Sequence, residues 1–512
     1  MEVILTKEEM QKADKRTSEF MHIPSAVLME RAALAVADCV MDMIKNENIR
    51  KPSILVVSGI GNNGGDGFAA GRILLERSVC PDFCLIGNPR KCSSAEKEEI
   101  ESVKALKDDI EIYSSIPDKD YDIVIDAIFG ISLNRMVEGI FAEAVEGINS
   151  LRSRGARVVS IDIPSGVNAD NGRIMGTAVH ADITLACAFK KPGLLLYPGA
   201  LMAGRVIRAF IGITEKSLEK EPQIFAPDER DSSLPERSLD SNKATYGKVL
   251  IAAGSDQICG AALLATSAAL RTGCGMVKVF THENNRTAIQ TVLPEALIST
   301  YEDFEESREK LYEDMDWSDC ILVGPGIGRS DMAFQMLRTI LDRAENPLVM
   351  DADALNLIAE HKELLDKVPG KSIFTPHVGE MSRLCGLPVK DIKERALEIS
   401  AEYAKEHDII CVLKDARTVT ALPDGRIFIN TSGNDGMSTA GSGDVLAGMT
   451  VSLMAQGMKP EEAAWKAVWL HGLAGDRAKE KKGAHGMIAG DIIKEMLLFT
   501  RLQRAPVTGF AI

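Results

Sequence analysis

The glycine-rich segment around residue 442 combines a phosphate-binding pattern with a carboxylate. Gly441, Ser442, Gly443 and Asp444 open a mostly apolar stretch that predicts a long helix. The first amides of a helix lack acceptors within it and lie at its positive end, so they could form an anion hole for a phosphoryl group. Asp444 could then accept a proton from a substrate hydroxyl. The alternative is a plain N-terminal carboxylate that stabilises the helix dipole by about 0.3–1 kcal/mol.

Two other segments of the C-terminal half contain residues that could contact a bound ligand. CILVGPGIGR places Gly326 in a glycine-rich loop after an apolar run, and FTPHVGEMSRL places His377 shortly before a predicted helix. A single histidine in that position is often a helix cap, but its glycine-rich setting favours a ligand contact. His471 has Ala467 and Val468 at helical spacing, so we interpret it as a packing residue.

The N-terminal half has its own glycine-rich loop, in SILVVSGIGNNGGDGFAAGRILLE. Gly59, Gly61 and Gly64 fit GxGxxG between an apolar run and a helical pattern, the context in which that motif binds phosphates. A structural tight turn is the alternative. The acidic residue that follows the second strand of dinucleotide-binding folds is absent, because residues 88–90 are Asn-Pro-Arg. Standard dehydrogenase binding of NAD is therefore not expected.

Polar side chains follow two more apolar runs of this half. The segment YDIVIDAIFG contains Asp126, and the segment VVSIDIPSG contains Asp162 and Ser165. The carboxyl ends of parallel strands share one sheet edge, so these groups could converge with Asn63 of the glycine loop. Oxygen donors of this kind suit a hard cation or polar hydroxyls. A lone aspartate at such a position is as often a helix cap.

Apolar, β-branched runs alternate with helical patterns along the chain, which predicts an α/β fold with parallel sheets covered on both faces. A largely helical start over residues 7–46 precedes the first strand, and Thr6 with Glu9 fits a capping box. The runs are SILVVSG (53–59), FCLIG (83–87), YDIVIDAIFG (121–130), ARVVSIDIPSG (156–166), KVLIAAGS (248–255), CILVGPG (320–326), PLVMDADAL (347–355) and IICVLKD (409–415).

One stretch interrupts this alternation. Residues 214–243 are rich in charge, Ser and Pro and show no clear apolar period, so they are predicted to be a linker or arm. The predicted domains are therefore 1–213 and 244–512, both within the usual size range.

Composition sets the class of protein. The 512 residues include 59 Lys+Arg and 74 Asp+Glu, a net charge of −15, which argues against nucleic acid as a partner. The N-terminal residues lack the apolar region of a secretory signal, and no apolar run approaches the roughly 20 residues of a membrane span. The ten cysteines show neither CxxC nor zinc spacing, so reduced thiols in a cytoplasmic protein are expected.

GIGNNGGDGFAAGRIL, DAIFG, VVSIDIPSGVNADNG and FKKPGLLLYPG together resemble the epimerase domain of NAD(P)H-hydrate repair proteins, across nearly all of residues 1–213. The resemblance implies a Rossmann-like, three-layer α/β/α domain that binds the hydrated nicotinamide nucleotide and K⁺. It implies K⁺ ligands at Asn63, Asp126 and Ser165. It also implies substrate contacts from two loops and one strand end: Asn62, Asn63, Gly64, Gly65 and Asp66; Gly130, Ile131, Ser132, Leu133, Asn134, Arg135 and Met136; and Asp162, which is also expected to be catalytic.

GPGIGR, TPHVGE, KDART and GNDGMSTAGSGDVLAG resemble the ribokinase-like, nucleotide-dependent NAD(P)H-hydrate dehydratase family, over roughly residues 230–512. The resemblance implies that the chain is a fused, bifunctional repair protein. The residues implied to contact the hydrate are Ala262, Gly326, His377 and the base Asp444. Those implied to bind the adenine nucleotide are Lys414, Asp415, Ala416, Arg417, Thr418 and Gly443, with Asp415 where the family usually has Gly.

The resemblance implies that the two domains repair hydrated NADH and NADPH in sequence. The epimerase interconverts the R and S hydrates. The dehydratase phosphorylates the ring hydroxyl of the S form and eliminates phosphate, with Mg²⁺ bridging the donor phosphates. The donor is ADP in bacterial members and ATP in eukaryotic ones, and a homo-oligomer is expected. Two alternatives stay open: a ribokinase-superfamily small-molecule kinase fused to a nucleotide-binding module, and a non-enzymatic nucleotide sensor, which would not need the bases Asp444 and Asp162.

Overall fold

The structure, a computed structural model, describes residues 1–107 and 109–496. It divides into an N-terminal unit, Val3–Pro222, and a C-terminal unit that begins at Gln223 and also includes Met1–Glu2. This division falls inside the segment 214–243 that the sequence predicts as a linker. The domain limits 1–213 and 244–512 stay predictions, and residues 497–512 lie outside the described residues.

The N-terminal unit is built on an all-parallel sheet. The first strand of the chain, β1 (Glu2–Ile4), is not part of this sheet. The strands of the sheet are β2 (Ile54–Ser58), β3 (Asp82–Leu85), β4 (Ile112–Tyr113), β5 (Ile123–Ala127), β6 (Arg157–Ile161), β7 (Ile183–Cys187) and β8 (Arg205–Ala209). The sheet order is β4-β3-β2-β5-β6-β7-β8, and every neighbouring pair is parallel. All residues of β2 and β5 are buried, as expected for central strands covered on both faces.

Helices cover both faces of this sheet. They are α1 (Lys7–Glu19), α2 (Ser25–Asn46), α3 (Asn62–Glu76), α4 (Ser94–Leu106), α5 (Ile140–Ser153) and α6 (Gly199–Ala203). One apolar core joins the sheet to α2, α3 and α4, and a second joins it to α5. The predicted three-layer, Rossmann-like architecture is confirmed. The predicted capping box is also confirmed, because Thr6 and Glu9 cap the start of α1 reciprocally.

The C-terminal unit contains a larger, mixed sheet. Its strands are β9 (Ile224–Ala226), β10 (Lys248–Ala252), β11 (Met276–His282), β12 (Leu297–Tyr301), β13 (Cys320–Val323), β14 (Val349–Met350), β15 (Ile373–Phe374), β16 (Ile410–Leu413), β17 (Val419–Ala421) and β18 (Ile427–Ile429). The order β12-β11-β10-β13-β14-β15-β16 is parallel. An antiparallel hairpin, β17 and β18, extends it, and β9 lies parallel to β18.

The helices of the C-terminal unit are α7 (Gly260–Thr272), α8 (Arg286–Val292), α9 (Phe304–Trp317), α10 (Asp331–Arg343), α11 (Asp353–Glu360), α12 (Val378–Cys385), α13 (Val389–Glu394), α14 (Ala396–Glu406), α15 (Ser442–Ala455), α16 (Pro460–Lys482) and α17 (Ala489–Glu495). Helices α7 and α15 pack unusually closely, since a methyl group on Gly448 would lie 2.1 Å from the carbonyl oxygen of Ala265. None of the helices within the described ranges has the length and apolarity needed to cross a bilayer.

Each sheet has one point where the strand order reverses. In the N-terminal sheet β2 lies between β3 and β5, and in the C-terminal sheet β10 lies between β11 and β13. Ligands of open α/β sheets bind outside the carboxyl ends of the strands at such a point. The glycine-rich loops that follow β2, β10 and β13 are therefore in position to form binding sites.

Candidate active sites

A cleft of about 590 Å³ lies at the reversal point of the N-terminal sheet. Many of the predicted residues line it: Asn62, Asn63, Asp66, Gly130, Ile131, Ser132, Leu133, Asn134, Arg135 and Asp162. Gly64 and Gly65 are instead buried in the first turn of α3, and Met136 is exposed beyond the lining. The structure thus brings the glycine loop, the segment after β5 and the end of β6 to one cavity.

Close backbone packing explains the glycines of the first loop. A methyl group on Gly59 would lie 2.1 Å from the carbonyl oxygen of Ile128, and one on Gly64 would lie 2.0 Å from the carbonyl oxygen of Gly59. Gly61 has a φ of +129°, a conformation that L-residues rarely adopt. The fully buried carboxylate of Glu96 accepts a 2.9 Å hydrogen bond from the Gly61 amide. The loop is therefore held rigidly before α3 begins.

Asp126 forms a buried cluster of oxygen atoms with two serines. Its carboxylate accepts hydrogen bonds from the hydroxyl of Ser160 at 2.8 Å and from the hydroxyl and amide of Ser165 at 2.5 and 2.9 Å. These partners are neutral, and burial raises the pKa of Asp126. The amide group of Asn63 lies against Gly130, and its buried Nδ2 has no hydrogen-bond partner in the described part of the chain.

Asp162 occupies the end of β6 in an unusual backbone conformation, with a φ of +66°. Its Oδ1 pairs with the ammonium of Lys191, whose side chain is completely buried, and accepts a 3.0 Å hydrogen bond from the amide of Cys187. The Lys191 ammonium also donates to the carbonyl of Cys187 at 3.1 Å. Strain of this kind persists only where surrounding contacts enforce it, and it is common at functional sites.

Asp66 extends from the first turns of α3 into the same cleft. Burial, followed by the nearby charges of Asp162, Asp14 and Glu99, raises the pKa of Asp66 well above its usual value. Asp66 and Asp162 are therefore in different electrostatic settings, because Asp162 has a cationic partner and Asp66 has none among the described residues.

The C-terminal unit has a cleft of about 450 Å³ beside the start of α15. Its lining includes the following predicted residues: His377, Lys414, Asp415, Ala416, Thr418 and Gly443. Arg417 points elsewhere, because its guanidinium donates to the carbonyl of Thr431 at 2.8 Å. Asp415 is 3.7 Å from the ammonium of Lys393 in a partly exposed ion pair.

A buried ion pair lies against the beginning of α15. The ammonium of Lys414 is 2.6 Å from Oδ1 of Asp351, which also accepts a 2.7 Å hydrogen bond from the hydroxyl of Thr375. A methyl group on Gly443 would lie 3.2 Å from the Lys414 ammonium, so this cation faces the amides that open the helix. Burial works to lower the pKa of Lys414, but the carboxylates of Asp351 and Glu380 outweigh it and raise the pKa.

Asp444 lies in the first turn of α15, next to this ion pair. Burial, reinforced by the charge of Asp351 and partly offset by Lys414, raises the pKa of Asp444 to about 6. A carboxylate with that pKa is ionised at neutral pH and is a far better base than an exposed one. The predicted helix begins at Ser442 with Asp444 in its first turn, while the anion hole and the role of Asp444 as a base stay predictions.

His377 has two roles in the structure. Its Nδ1 accepts hydrogen bonds from the amides of Gly379 and Glu380 at 2.9 and 3.3 Å, so it caps α12. It also lines the cleft, and burial together with the charges of Lys414 and Arg383 lowers its pKa. Burial raises the pKa of Glu380, which completes the capping box, to about 7.

His471 is buried, as its interpretation as a packing residue requires, but it also lines the cleft. Its Nε2 lies 3.4 Å from the hydroxyl of Ser442. Burial and the charge of Lys414 lower the pKa of His471 to about 4, so the ring is neutral at physiological pH.

The remaining predicted residues, Gly326 and Ala262, lie at the start of α7 or pack against it. A methyl group on Gly326 would lie 3.0 Å from the Cβ of Ala261, so the loop after β13 touches the start of α7. A methyl group on Gly441 would lie 2.3 Å from Leu264 of the same helix. Ala262 lies between these contacts, and its side chain is fully buried in the core.

The sequence analysis did not single out three side chains that complete these sites: Glu96, Lys191 and Asp351. Asp351 ends an apolar run, the same signal that identified Asp126, and could have been found by it. Glu96 lies within a helix and Lys191 in a loop, with no comparable local signal. Within residues 1–107 and 109–496 there is no group of three or more His, Cys, Asp or Glu side chains that could hold a metal ion.

Comparison with known proteins places both units. A family model described as NAD(P)H-hydrate dehydratase matches residues 249–497, and one described as YjeF-related protein N-terminus matches residues 25–193. The C-terminal unit resembles the crystal structure of a ribokinase-like superfamily protein from Enterococcus faecalis, with 29% identity, a TM-score of 0.50, and coverage of 56% of this chain and 98% of that chain. The predicted ribokinase-like fold is confirmed.

Curated relatives match nearly the whole chain. It is 35% identical over 509 residues to a bifunctional NAD(P)H-hydrate repair enzyme of Moorella thermoacetica, across 96% of this chain and 95% of the relative. It is 31% identical over 454 residues to the enzyme of the same name from Escherichia coli, across 88% and 84%. Because these relatives match the sequence of both units, the chain belongs to the family of bifunctional NAD(P)H-hydrate repair enzymes.

Proposed function

We propose that the two clefts perform successive steps in the repair of hydrated NADH and NADPH. The N-terminal cleft interconverts the R and S hydrates, and the C-terminal cleft dehydrates the S hydrate at the expense of ADP or ATP. Membership of the repair family supports this assignment. The single structural observation behind it is the placement of Asp444, with a pKa of about 6, at a helix start that the ammonium of Lys414 faces.

The dehydratase step begins with proton removal. Asp444 takes the proton of the ring hydroxyl as its oxygen attacks the terminal phosphorus of the donor, and the bond from phosphorus to the leaving diphosphate or monophosphate oxygen breaks. The amides of Ser442, Gly443 and Asp444, together with the ammonium of Lys414, stabilise the charge on the transferred phosphoryl group. Phosphate then leaves the ring carbon as a proton leaves the adjacent carbon, giving NAD(P)H, phosphate and AMP or ADP.

The remaining residues of this cleft bind the two substrates. Lys414, Asp415, Ala416, Thr418 and Gly443 line the proposed nucleotide site, and Arg417 supports it through its contact with Thr431. The proposed hydrate contacts are His377, Gly326 and Ala262, the last through its backbone because its side chain is buried.

Mg²⁺ is proposed to enter with the donor phosphates. The described residues contain no ready cluster of ligands for it, and Oδ1 of Asp351 is already occupied by Lys414 and Thr375. When bound, Mg²⁺ neutralises charge on the donor phosphates.

In the N-terminal cleft, the proposed substrate contacts are the predicted ones: Asn62, Asn63, Gly64, Gly65, Asp66, Gly130, Ile131, Ser132, Leu133, Asn134, Arg135, Met136 and Asp162. Asn63, Asp126 and Ser165 fit K⁺, because a fully buried carboxylate with only neutral partners is costly without a cation. When bound, K⁺ supplies the compensating charge beside the substrate loop, and Asp126 and Ser165 hold the segment after β5 in place.

The proposed donor is ADP, since the relatives described above include bacterial enzymes and the resemblance implies ADP for bacterial members. A homo-oligomeric state stays a prediction, which light scattering of the purified chain would check.

The test is to incubate the full chain with mixed R and S hydrates and either ADP or ATP, and to follow the near-ultraviolet absorbance of reduced nicotinamide. The proposal predicts recovery of that absorbance with release of phosphate. A small-molecule kinase would instead accumulate a stable phosphorylated product. Absence of recovery with both nucleotides would contradict the proposed function.

A further inference from the structure

Three carboxyl groups line the N-terminal cleft, and their settings differ. Asp14, Asp66 and Asp162 all face the main cavity and also an adjoining hollow of about 220 Å³. Asp14 is exposed at the rim, whereas Asp66 and Asp162 are largely buried. A small cavity that contains two buried carboxyl groups is suited to acid–base chemistry on a single substrate atom.

Asp162 is paired with a buried cation, the ammonium of Lys191. The fully buried ammonium of Lys191 pairs with Oδ1 of Asp162, and its other hydrogen bond is to the carbonyl of Cys187. The Cys187 amide donates to the same Oδ1. Oδ2 of Asp162 is not used by these contacts, so the carboxylate can accept a proton on that oxygen.

Asp66 has the opposite setting. No cation pairs with it among the described residues, and the charges that reach it, from Asp162, Asp14 and Glu99, are all negative. Together with burial they raise its pKa well above the usual value, which favours its protonated form. The two carboxyl groups of the cleft therefore differ in their surroundings: Asp162 is beside an ammonium, and Asp66 is near other carboxylates.

We propose that Asp66 and Asp162 are the acid and the base of the epimerisation, and that Lys191 is the positioning residue that keeps Asp162 oriented. This inference rests on the proposed function of the N-terminal cleft. It assigns a catalytic role to Asp66, whose predicted role was a substrate contact alone.

The chemistry of the hydrate explains why an acid and a base are both needed. Water adds to the enamine of a reduced nicotinamide so that the hydroxyl is on the carbon bonded to the ring nitrogen. Asp66 protonates this hydroxyl, the carbon–oxygen bond breaks, and the nitrogen lone pair forms a carbon–nitrogen double bond as water leaves. A second water then adds to the opposite face of that carbon, returns the electron pair to nitrogen, and gives its proton to Asp162.

The cycle is balanced in atoms and charge. One water leaves and one enters, and a proton has moved from Asp66 to Asp162 by way of the two waters. The pair is then in the state that converts the product epimer back, or it returns to its starting state by exchanging protons through the open cleft.

The experiment uses the full chain and pure S hydrate without nucleotide, and follows the appearance of the R hydrate by chromatography. Asp66→Asn and Asp162→Asn should each lower kcat by about 10²–10⁴-fold, the usual value of general acid–base catalysis, with KM changed by less than about threefold. Asp14→Asn is the comparison variant, a carboxyl group at the rim of the same cleft; because it removes only one of the charges that raise the pKa of Asp66, it should lower kcat much less than Asp66→Asn does.

Two further measurements separate catalysis from structure. In H₂¹⁸O the wild-type chain should incorporate one ¹⁸O into the hydrate for each epimerisation. Lys191→Met should lower kcat for epimerisation more than it raises KM, because Asp162 loses the group that orients it, and Lys191→Arg should restore part of the activity.

Nucleotide-dependent dehydration of S hydrate, measured on each variant, reports whether the chain is folded. If the wild-type chain does not epimerise, the proposed function fails. If it epimerises but Asp66→Asn retains near-normal kcat, or Asp14→Asn loses as much as Asp66→Asn, the assignment of the acid is wrong. Epimerisation without ¹⁸O incorporation would overturn the water-exchange chemistry.

Discussion

Replacing Asp444 with asparagine should remove the proposed base of the dehydration and little else. The amide side chain preserves shape, and the helix amides of Ser442 and Gly443 and the ion pair of Lys414 with Asp351 remain. General-base catalysis is typically worth about 10²–10⁴-fold, so dehydration should fall by at least about a hundredfold. Nucleotide binding should change little, because the groups that hold the phosphates are retained.

The pKa of Asp444 adds a quantitative requirement. With a pKa of about 6, the carboxylate is about 90% ionised at pH 7 and about 10% ionised at pH 5. Because only the ionised form accepts a proton, dehydration by the wild-type chain should fall about tenfold as the pH is lowered from 7 to 5. The residual activity of Asp444→Asn should lack this acid limb.

The assay supplies pure S hydrate with saturating ADP or ATP and follows the absorbance of reduced nicotinamide between pH 5 and 8, with nucleotide affinity measured separately by calorimetry. Epimerisation by the same variant is the folding control, since its cleft is in the other unit. Near-normal dehydration by Asp444→Asn, or an acid limb that persists in the variant, would refute Asp444 as the base.

The remaining predictions concern three other positions. Asp351→Asn removes a negative charge that raises the pKa of Asp444, so the acid limb of kcat/KM for dehydration should move to lower pH; an unchanged limb would contradict the coupling. Asp126→Ala should slow epimerisation and abolish its dependence on K⁺ while dehydration of S hydrate persists; equal losses in both activities would count against independent sites. Gly59→Ala places a methyl group 2.1 Å from the carbonyl oxygen of Ile128 and should lower the free energy of unfolding by about 1–3 kcal/mol, measured by urea denaturation, and unchanged stability would show that this loop tolerates a side chain.

Local sequence patterns were sufficient where the structure depends on adjacent residues. Each glycine-rich loop between an apolar run and a helical pattern has the predicted form, as at β2 and α3 and at the start of α15. The contact of Asp126 with Ser165 could also be predicted, because parallel strands present their carboxyl ends at one edge. The capping box of Thr6 and Glu9 is local as well.

Contacts between distant residues could not be predicted in this way. The partner of Asp162 is 29 residues away and the partner of Asp351 is 63 residues away, and neither lysine has a local pattern that indicates burial. The double role of His377, as a helix cap that also lines a cleft, depends on where α12 lies relative to Lys414.

The short strands of the C-terminal sheet could not be predicted from local patterns either. Strands β17 and β18 have three residues each, too few for a periodic signal, so their antiparallel pairing was missed. The apolar run at 347–355 predicts a longer strand than the two residues of β14. The observed strand is short because α11 already begins at Asp353. Strand β9 lies in the charged stretch predicted as a linker, and its pairing with β18 identifies it as a strand.

The central claim is that one chain contains two separate sites that act on the two epimers of one damaged cofactor. The most direct measurement is the fraction of an R and S hydrate mixture that is recovered as NADH, with saturating ADP or ATP, by the wild-type chain, Asp162→Asn and Asp444→Asn. The wild-type chain should recover the whole mixture. Asp162→Asn should recover the S fraction rapidly and the rest only at the rate of spontaneous epimerisation, and Asp444→Asn should recover almost none while still exchanging the epimers. Complete rapid recovery by Asp162→Asn, or loss of both activities in either variant, would contradict the account.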